Sequence, residues 1–219
     1  MPPAVRAFAL LLPFCLAACS PLGGSGAPDG GMSFFVTSVS PGRGGDLGGL
    51  AGADAHCQRL ARAAGAGGRT WRAYLSTPAT PLQPAVNARD RIGPGPWLNA
   101  VGDVIARDPD ELHAANALNR RTALTERGHE VPGVMERTNR HGILTGSRAD
   151  GRALTGGEDG SCRGWTSSGT GTAILGHHDR EGPGPDARSW NSARVVQGCS
   201  PEALGQAQSA GLVYCFATR

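Results

Sequence analysis

Apolar positions along the chain fall into short runs with two different spacings. In residues 52–65 (GADAHCQRLARAAG), Ala53, Cys57, Leu60, Ala61 and Ala64 recur at helical intervals, while Gln58, Arg59 and Arg62 fall on another side. This spacing predicts an amphipathic helix with Cys57 turned to the core and Gly65 as its left-handed C-cap. Residues 212–217 (LVYCFA) do not alternate. A strand apolar on both faces is expected at the centre of a sheet. Residues 33–38 (SFFVTS) read as a first strand. Residues 69–77 (RTWRAYLST) alternate Trp71, Ala73 and Leu75 against Arg72 and Tyr74, which predicts a half-buried strand. In DPDELHAAN, Asp108 is placed as N-cap, Pro109 as first helical residue and Glu111 as the closing member of a capping box. Weaker strand patterns cover 143–145 and 173–175. Most of 125–160 reads as loop, and no internal repeat is evident. The sum is an α+β domain of short helices packed on mixed or antiparallel strands with long loops.

Composition supports that picture. The chain has 219 residues with 34 Gly and 16 Pro, a proportion that favours irregular connections. At 39% hydrophobic it can still form a core burying roughly 70% of the unfolded surface. The net charge of +3 is small, and every one of the 21 basic residues is Arg. They are scattered, so nucleic acid is not an expected partner.

Residues 1–18 carry Arg6 and an apolar run too short to span a bilayer, followed by LAAC ending at Cys19. This resembles a bacterial lipobox, in which Cys19 is acylated and anchors the chain to a membrane. The alternative is an ordinary signal peptide cut near Ala18; both export the protein. Ser20 after Cys19 favours the outer membrane in a Gram-negative cell. Residues 19–32 form a Gly/Pro/Ser tether, whose SPLGGSGAPDGG stretch spans about 17–20 Å as a flexible coil. The domain is placed at 33–219.

Of six cysteines, Cys15 lies in the leader and Cys19 is the lipid site. The other four, Cys57, Cys162, Cys199 and Cys215, read as two disulfides in an exported domain, with three connectivities open to sequence alone. The inward face of the predicted helix and the central strand make Cys215 the natural partner of Cys57.

Taken together, GGLAGADAHCQRLARAAGAGGRTWRAYLS, SCRGWTSSG, the SWNS and GCS segments, and LVYCFA resemble the endostatin-like branch of the C-type-lectin-like fold, which also occurs in bacterial lipoproteins. The resemblance runs from about residue 33 to 219 and is weak between 77 and 143. It implies nested bridges, Cys57–Cys215 and Cys162–Cys199. It also implies binding of an extracellular protein or an anionic glycan through loops and Arg-rich surfaces, without catalysis and without a cofactor. Calcium-dependent sugar binding is not expected. Trp190 and Asn191 are followed by Ser192, and Gln83 and Pro84 by Ala85, which breaks both motifs. Trp190 is given a packing role.

Two clusters are candidates for chemistry. Arg59, Arg62, Arg69 and Arg72 are a candidate polyanion patch, against a plain solvated helix face. His177, His178 and Asp179 in GHHDR are candidate metal ligands, with His56, His129 and His141 as contributors, against a hydrogen-bonded loop network. The Ser167–Gly171 loop lacks the strand-to-helix elbow of a nucleophile. The preferred function is a lipid-anchored binding protein of the cell envelope. The alternatives are a structural envelope protein and a metal-dependent hydrolase built on His177–Asp179.

Overall fold

A computed structural model of the chain describes Met1 and residues 31–218. Residues 2–30, which hold nearly all of the expected leader, the expected lipidation residue Cys19 and most of the expected tether, lie outside the described residues. Their elements follow in the order β1 (Phe34–Val36), α1 (Gly49–Ala63), β2 (Trp71–Ala73), β3 (Trp97–Leu98), β4 (Val104–Ala106), α2 (Pro109–Ala114), β5 (Gly142–Leu144), α3 (Cys162–Trp165), β6 (Thr172–His177), β7 (Arg194–Gln197), α4 (Pro201–Gln206) and β8 (Ser209–Ala217). None of these helices is long and apolar enough to cross a membrane. The main sheet runs β1-β8-β5-β6-β7, with β2 also on β8. β8 is antiparallel to β1 and β2 but parallel to β5, so the sheet is mixed. β3 and β4 pair as a separate ribbon. The protein is therefore α+β, as the pattern of short runs predicts.

The unbroken apolar run of β8 has a direct structural cause. Its side chains alternate between two cores, one on each face of the sheet. Val213, Cys215 and Ala217 join Phe35, Trp71 and α1 on one face. Leu212, Tyr214 and Phe216 join Phe34, Trp97 and Trp190 on the other. Trp190 is buried, in keeping with a packing role.

α1 packs Ala53, Cys57 and Ala61 inward, with His56 beside them. Leu60 is only half buried, and Ala64 is exposed because it is already the C-cap. The helix stops as its glycine dictates: Gly65 has φ 80°, its N–H donates to the Arg62 carbonyl, and the Ala66 N–H reaches back to Ala61. These are the two bonds of a Schellman ending. In α2 the Asp108 carboxylate accepts from the N–H groups of Asp110 and Glu111. Glu111 reaches one residue beyond the cap, to the Arg107 N–H.

The two disulfides are Cys57–Cys215, tying α1 to β8, and Cys162–Cys199. The second holds an unusual piece of backbone. Cys162, Arg163, Gly164 and Trp165 all have φ between 48° and 69°, so α3 is a left-handed turn. Left-handed backbone costs about 1–2 kcal/mol per non-glycine residue. The cost is offset by anchors on every side. The Asp159 carboxylate accepts from the N–H groups of Ser161 and Arg163. The buried Trp165 indole donates to the Ser76 carbonyl.

Tyr74 departs from the alternation read in β2: it is fully buried rather than on an exposed face. A buried tyrosine needs a partner for its hydroxyl. Here the Asn191 amide donates to that oxygen, which bonds His113 Nε2 at 2.8 Å, while His113 Nδ1 donates to the Pro109 carbonyl. Burial raises the Tyr74 pKa well above the ordinary phenol. Asn191 is thus a structural residue joining the second core to the loop at 148–149.

One glycine is fixed by close approach. A Cβ on Gly176 would lie 1.7 Å from the Trp190 carbonyl oxygen, which itself accepts from the Tyr214 hydroxyl. Gly176→Ala must therefore push two strands of packing apart, an overpacking cost of about 3 kcal/mol. Thermal unfolding should show Tm lowered by roughly 6–12 °C for a domain of this size. An unchanged Tm would mean that the 189–192 segment does not press on β6.

Candidate functional site

β5 and β6 are antiparallel with Gly142 opposite His177. That register brings His141, just before β5, against the end of β6 and the His178–Asp179 turn. The His178 N–H donates to the His141 carbonyl at 3.2 Å. The His141 and His177 rings stack, with centroids 3.8 Å apart and planes 20° from parallel.

The Nδ1 atom of each stacked ring is committed. His141 Nδ1 donates to Asp179 Oδ1 at 3.2 Å. His177 Nδ1 donates to the carbonyls of Ala187 at 3.0 Å and Glu181 at 3.1 Å. These acceptors place the proton on Nδ1 of the neutral ring, leaving Nε2 with a lone pair. Both Nε2 atoms are buried and have no hydrogen-bond partner among the described residues. Burial lowers the His177 pKa, and the neighbouring His141 lowers it further, so its ring is neutral near pH 7. For Asp179, burial alone would raise the pKa. Hydrogen bonds from His141, the Val134 N–H and the Glu181 N–H outweigh it and hold the carboxyl well below its ordinary range. His178 is fully buried, and neither of its nitrogens has a well-formed hydrogen bond; burial pushes its pKa down to about 4.

A cleft of about 410 Å³ opens over the two rings. His141 and His177 are 2% and 4% exposed and make its floor. Val134 and Pro183 give it apolar walls, and Arg194, at the start of the edge strand β7, stands exposed on its rim with Asn139 nearby. Arg194 forms no ion pair among the described residues. Asp179 also positions one wall. Its Oδ2 accepts the Val134 N–H at 2.8 Å, and the next residue, Met135, is 95% exposed with φ 73°. A non-glycine residue held at positive φ by its surroundings is a common mark of a functional loop. One buried carboxylate thus orients both the floor imidazole and the lip.

Sequence reading singled out His177, His178 and Asp179 as metal ligands, with His141 as a contributor. The structure gathers His141, His177 and Asp179, but not as a metal site. Among the described residues no group of three or more His, Cys, Asp or Glu side chains is arranged to hold an ion. The stacking explains why. A zinc–imidazole bond of about 2.0–2.1 Å lies in the ring plane, and two planes stacked at 3.8 Å cannot both contain one ion. Asp179 is already spent on three donors. His56 is elsewhere, on the Val39 carbonyl, and His129 is in the 125–129 turn.

The arginine set lies on α1 and its connection into β2. Arg59 donates to His56 Nδ1 at 2.9 Å, and Arg72 pairs with Asp54 at 2.7 Å, where Arg91 also pairs. Arg62 is exposed, and the Arg69 carbonyl accepts from the Gln58 amide. The guanidinium groups of Arg59 and Arg72 therefore have protein partners, and Arg69 is not free either. Sequence reading did not find Val134, Asn139 or Arg194. They come from two separate segments, the loop before β5 and the start of β7, which the order β5-β6-β7 brings together; no spacing in the chain signals it. Comparison with protein-family models and with curated proteins returns no match.

Proposed function

We propose that this chain is a cell-envelope lipoprotein, anchored through Cys19, whose endostatin-like, C-type-lectin-like domain binds an extracellular protein or polysaccharide without catalysing a reaction. The observation that carries this reading is the cleft over His141 and His177: a pre-formed concavity, apolar in its walls, with a few converging polar groups. His141 and His177 line it, their Nδ1 atoms held by Asp179 and by the Ala187 and Glu181 carbonyls, and neither ring is hydrogen-bonded to a hydroxyl among the described residues. The rigid frame suits such a role, because a site held by two disulfides and a double-sided core loses little entropy on binding.

The test is an array of glycans and extracellular proteins probed with the full-length, oxidised chain. Retention of a defined ligand is expected, and Asp179→Ala, which releases both His141 and the 132–136 loop, should weaken it at least about tenfold. The Arg59→Ser/Arg62→Ser variant should bind as the parent does. An array with no retained ligand would favour a structural envelope protein. Loss of binding in the arginine variant alone would move the site to α1.

A further inference from the structure

Residues 132–140 form a flap with few fastenings. Val131 before them is buried in the second core, and His141 after them is buried at the head of β5, but no side chain from 132–140 belongs to either core. Bonds within the segment give it its shape, among them the Arg140 N–H to the Pro132 carbonyl and the Gly133 N–H to Glu136. Two side chains tie it to elements beyond its own ends. Asp179 accepts the Val134 N–H at 2.8 Å, and the exposed Arg120 pairs with Glu136. Met135, in its middle, holds φ 73°, which opening would relax. A segment with so little apolar burial opens more readily than the sheet beside it.

Buried imidazoles pack against this flap. A Cβ on Gly133 would lie 2.6 Å from Asp179 Oδ2, and the backbone acceptor beside His178 is the Pro132 carbonyl. Both nitrogens of His178, and Nε2 of His141 and His177, are buried without a partner among the described residues. A neutral ring tolerates this. An imidazolium carries an N–H on each nitrogen and needs an acceptor or water for both. The 3.8 Å stacking of His141 on His177 sets a second positive charge against the first. The charged and titratable groups facing the cluster are Asp179, bonded to His141; Arg120, toward His178; Arg180 and Tyr214, beside Asp179; and Glu136 on the flap, paired with Arg120. Glu181 faces it through its main chain. Asp179 already accepts from His141, Val134 and Glu181. We propose that protonation of this histidine cluster opens the 132–140 flap, a local pH-operated switch that leaves the two cores and both disulfides in place. The switch is a property of the fold and does not depend on the binding role proposed above. Val134 and Asn139 line the cleft, so the open flap widens it.

The direction follows from burial. His178 sits at about 4 in the closed state, chiefly because it is buried, and returns toward 6.5 once water reaches the ring. Falling pH therefore favours the open flap below 6.5, and the effect levels off near 4. His177, also lowered first by burial, acts in the same direction. Asp179 stays ionised across that window, so its tie to Val134 is not what titrates.

Amide hydrogen exchange of the full-length oxidised protein tests this, with rates corrected for the intrinsic effect of pH and measured with and without low urea. Between pH 7 and 4.5 the opening constant reported by the Val134 and Arg140 amides should rise at least roughly fiftyfold, the amount His178 alone supplies. That exchange should be insensitive to urea, while the amides of β8 stay slower and urea-sensitive. His178→Leu should cut the rise to less than roughly tenfold. Unchanged protection of Val134 and Arg140 at the two pH values, or exchange in step with β8 and with its urea dependence, overturns the switch. So does an undiminished rise in His178→Leu. If that variant fails to fold, the urea comparison on the parent protein decides alone.

Discussion

Replacing Cys57 and Cys215 together by alanine is expected to lower stability by about 5 kcal/mol, against about 4 kcal/mol for Cys162 and Cys199 together. The difference follows from loop length. The first bridge closes 158 residues and the second 37, and the entropy withdrawn from the unfolded chain grows with the logarithm of the loop. Location does not separate them: all four cysteines are completely buried in the first core, so either replacement also leaves an unfilled space there. Double replacements avoid a stray thiol. Urea unfolding of the two variants should give midpoints in that order, both below the parent. A parent-like midpoint for the Cys57/Cys215 variant would show that the covalent tie merely decorates a contact already made by packing.

The second large effect is acid lability centred on His178. Its pKa is held to about 4 in the fold against 6.5 in the unfolded chain, and the first cause is burial. As pH falls through 6.5 the unfolded chain takes up a proton that the folded one refuses. Stability therefore declines between pH 6.5 and about 4, and this contribution levels off once both states are protonated. The span corresponds to about 3 kcal/mol. His56, His113 and His177, all lowered chiefly by burial, act in the same direction over the upper part of that window. Asp179 adds a separate loss at lower pH. Its folded pKa is depressed, so its contribution is present above the ordinary carboxylate value of 3.8 and disappears as the pH drops below it. His178→Leu isolates the first window. Near pH 7 it should be close to neutral, since no well-formed hydrogen bond is lost. Between pH 6.5 and 4 the slope of unfolding free energy against pH should fall by about one proton. An unchanged slope would place the acid sensitivity elsewhere.

The features that a linear reading caught are those in which one segment carries its own instructions. The spacing of Ala53, Cys57 and Ala61 with Gly65 defines α1, Asp108 and Pro109 start α2, and the unalternating run before Ala217 marks a strand covered on both sides. What escaped depends on partners. β3, β4 and β7 are two to four residues long and exist because a neighbour completes their hydrogen bonds. α4 has no counterpart in the sequence reading, although Ser200 caps it and Pro201 occupies its first turn. Tyr74 reads as polar in an alternating strand, and only the hydroxyl chain through Asn191 and His113 makes its burial affordable. The site divides in the same way. His177 and Asp179 drew notice as a string of ligand-type residues, but their use could not be inferred without His141 stacked across β5 and β6. Arg194 gained meaning only from the strand order.

β8 follows, in chain order, every strand it pairs with, and it supplies side chains to both cores. Before residues 209–217 leave the ribosome, β1 and β2 have no strand to pair with, β5 has only β6, and neither apolar layer can close. Such a chain acquires its structure late and all at once rather than segment by segment during synthesis. Long-range pairing of this kind folds slowly, so the chain stays open until its final strand arrives.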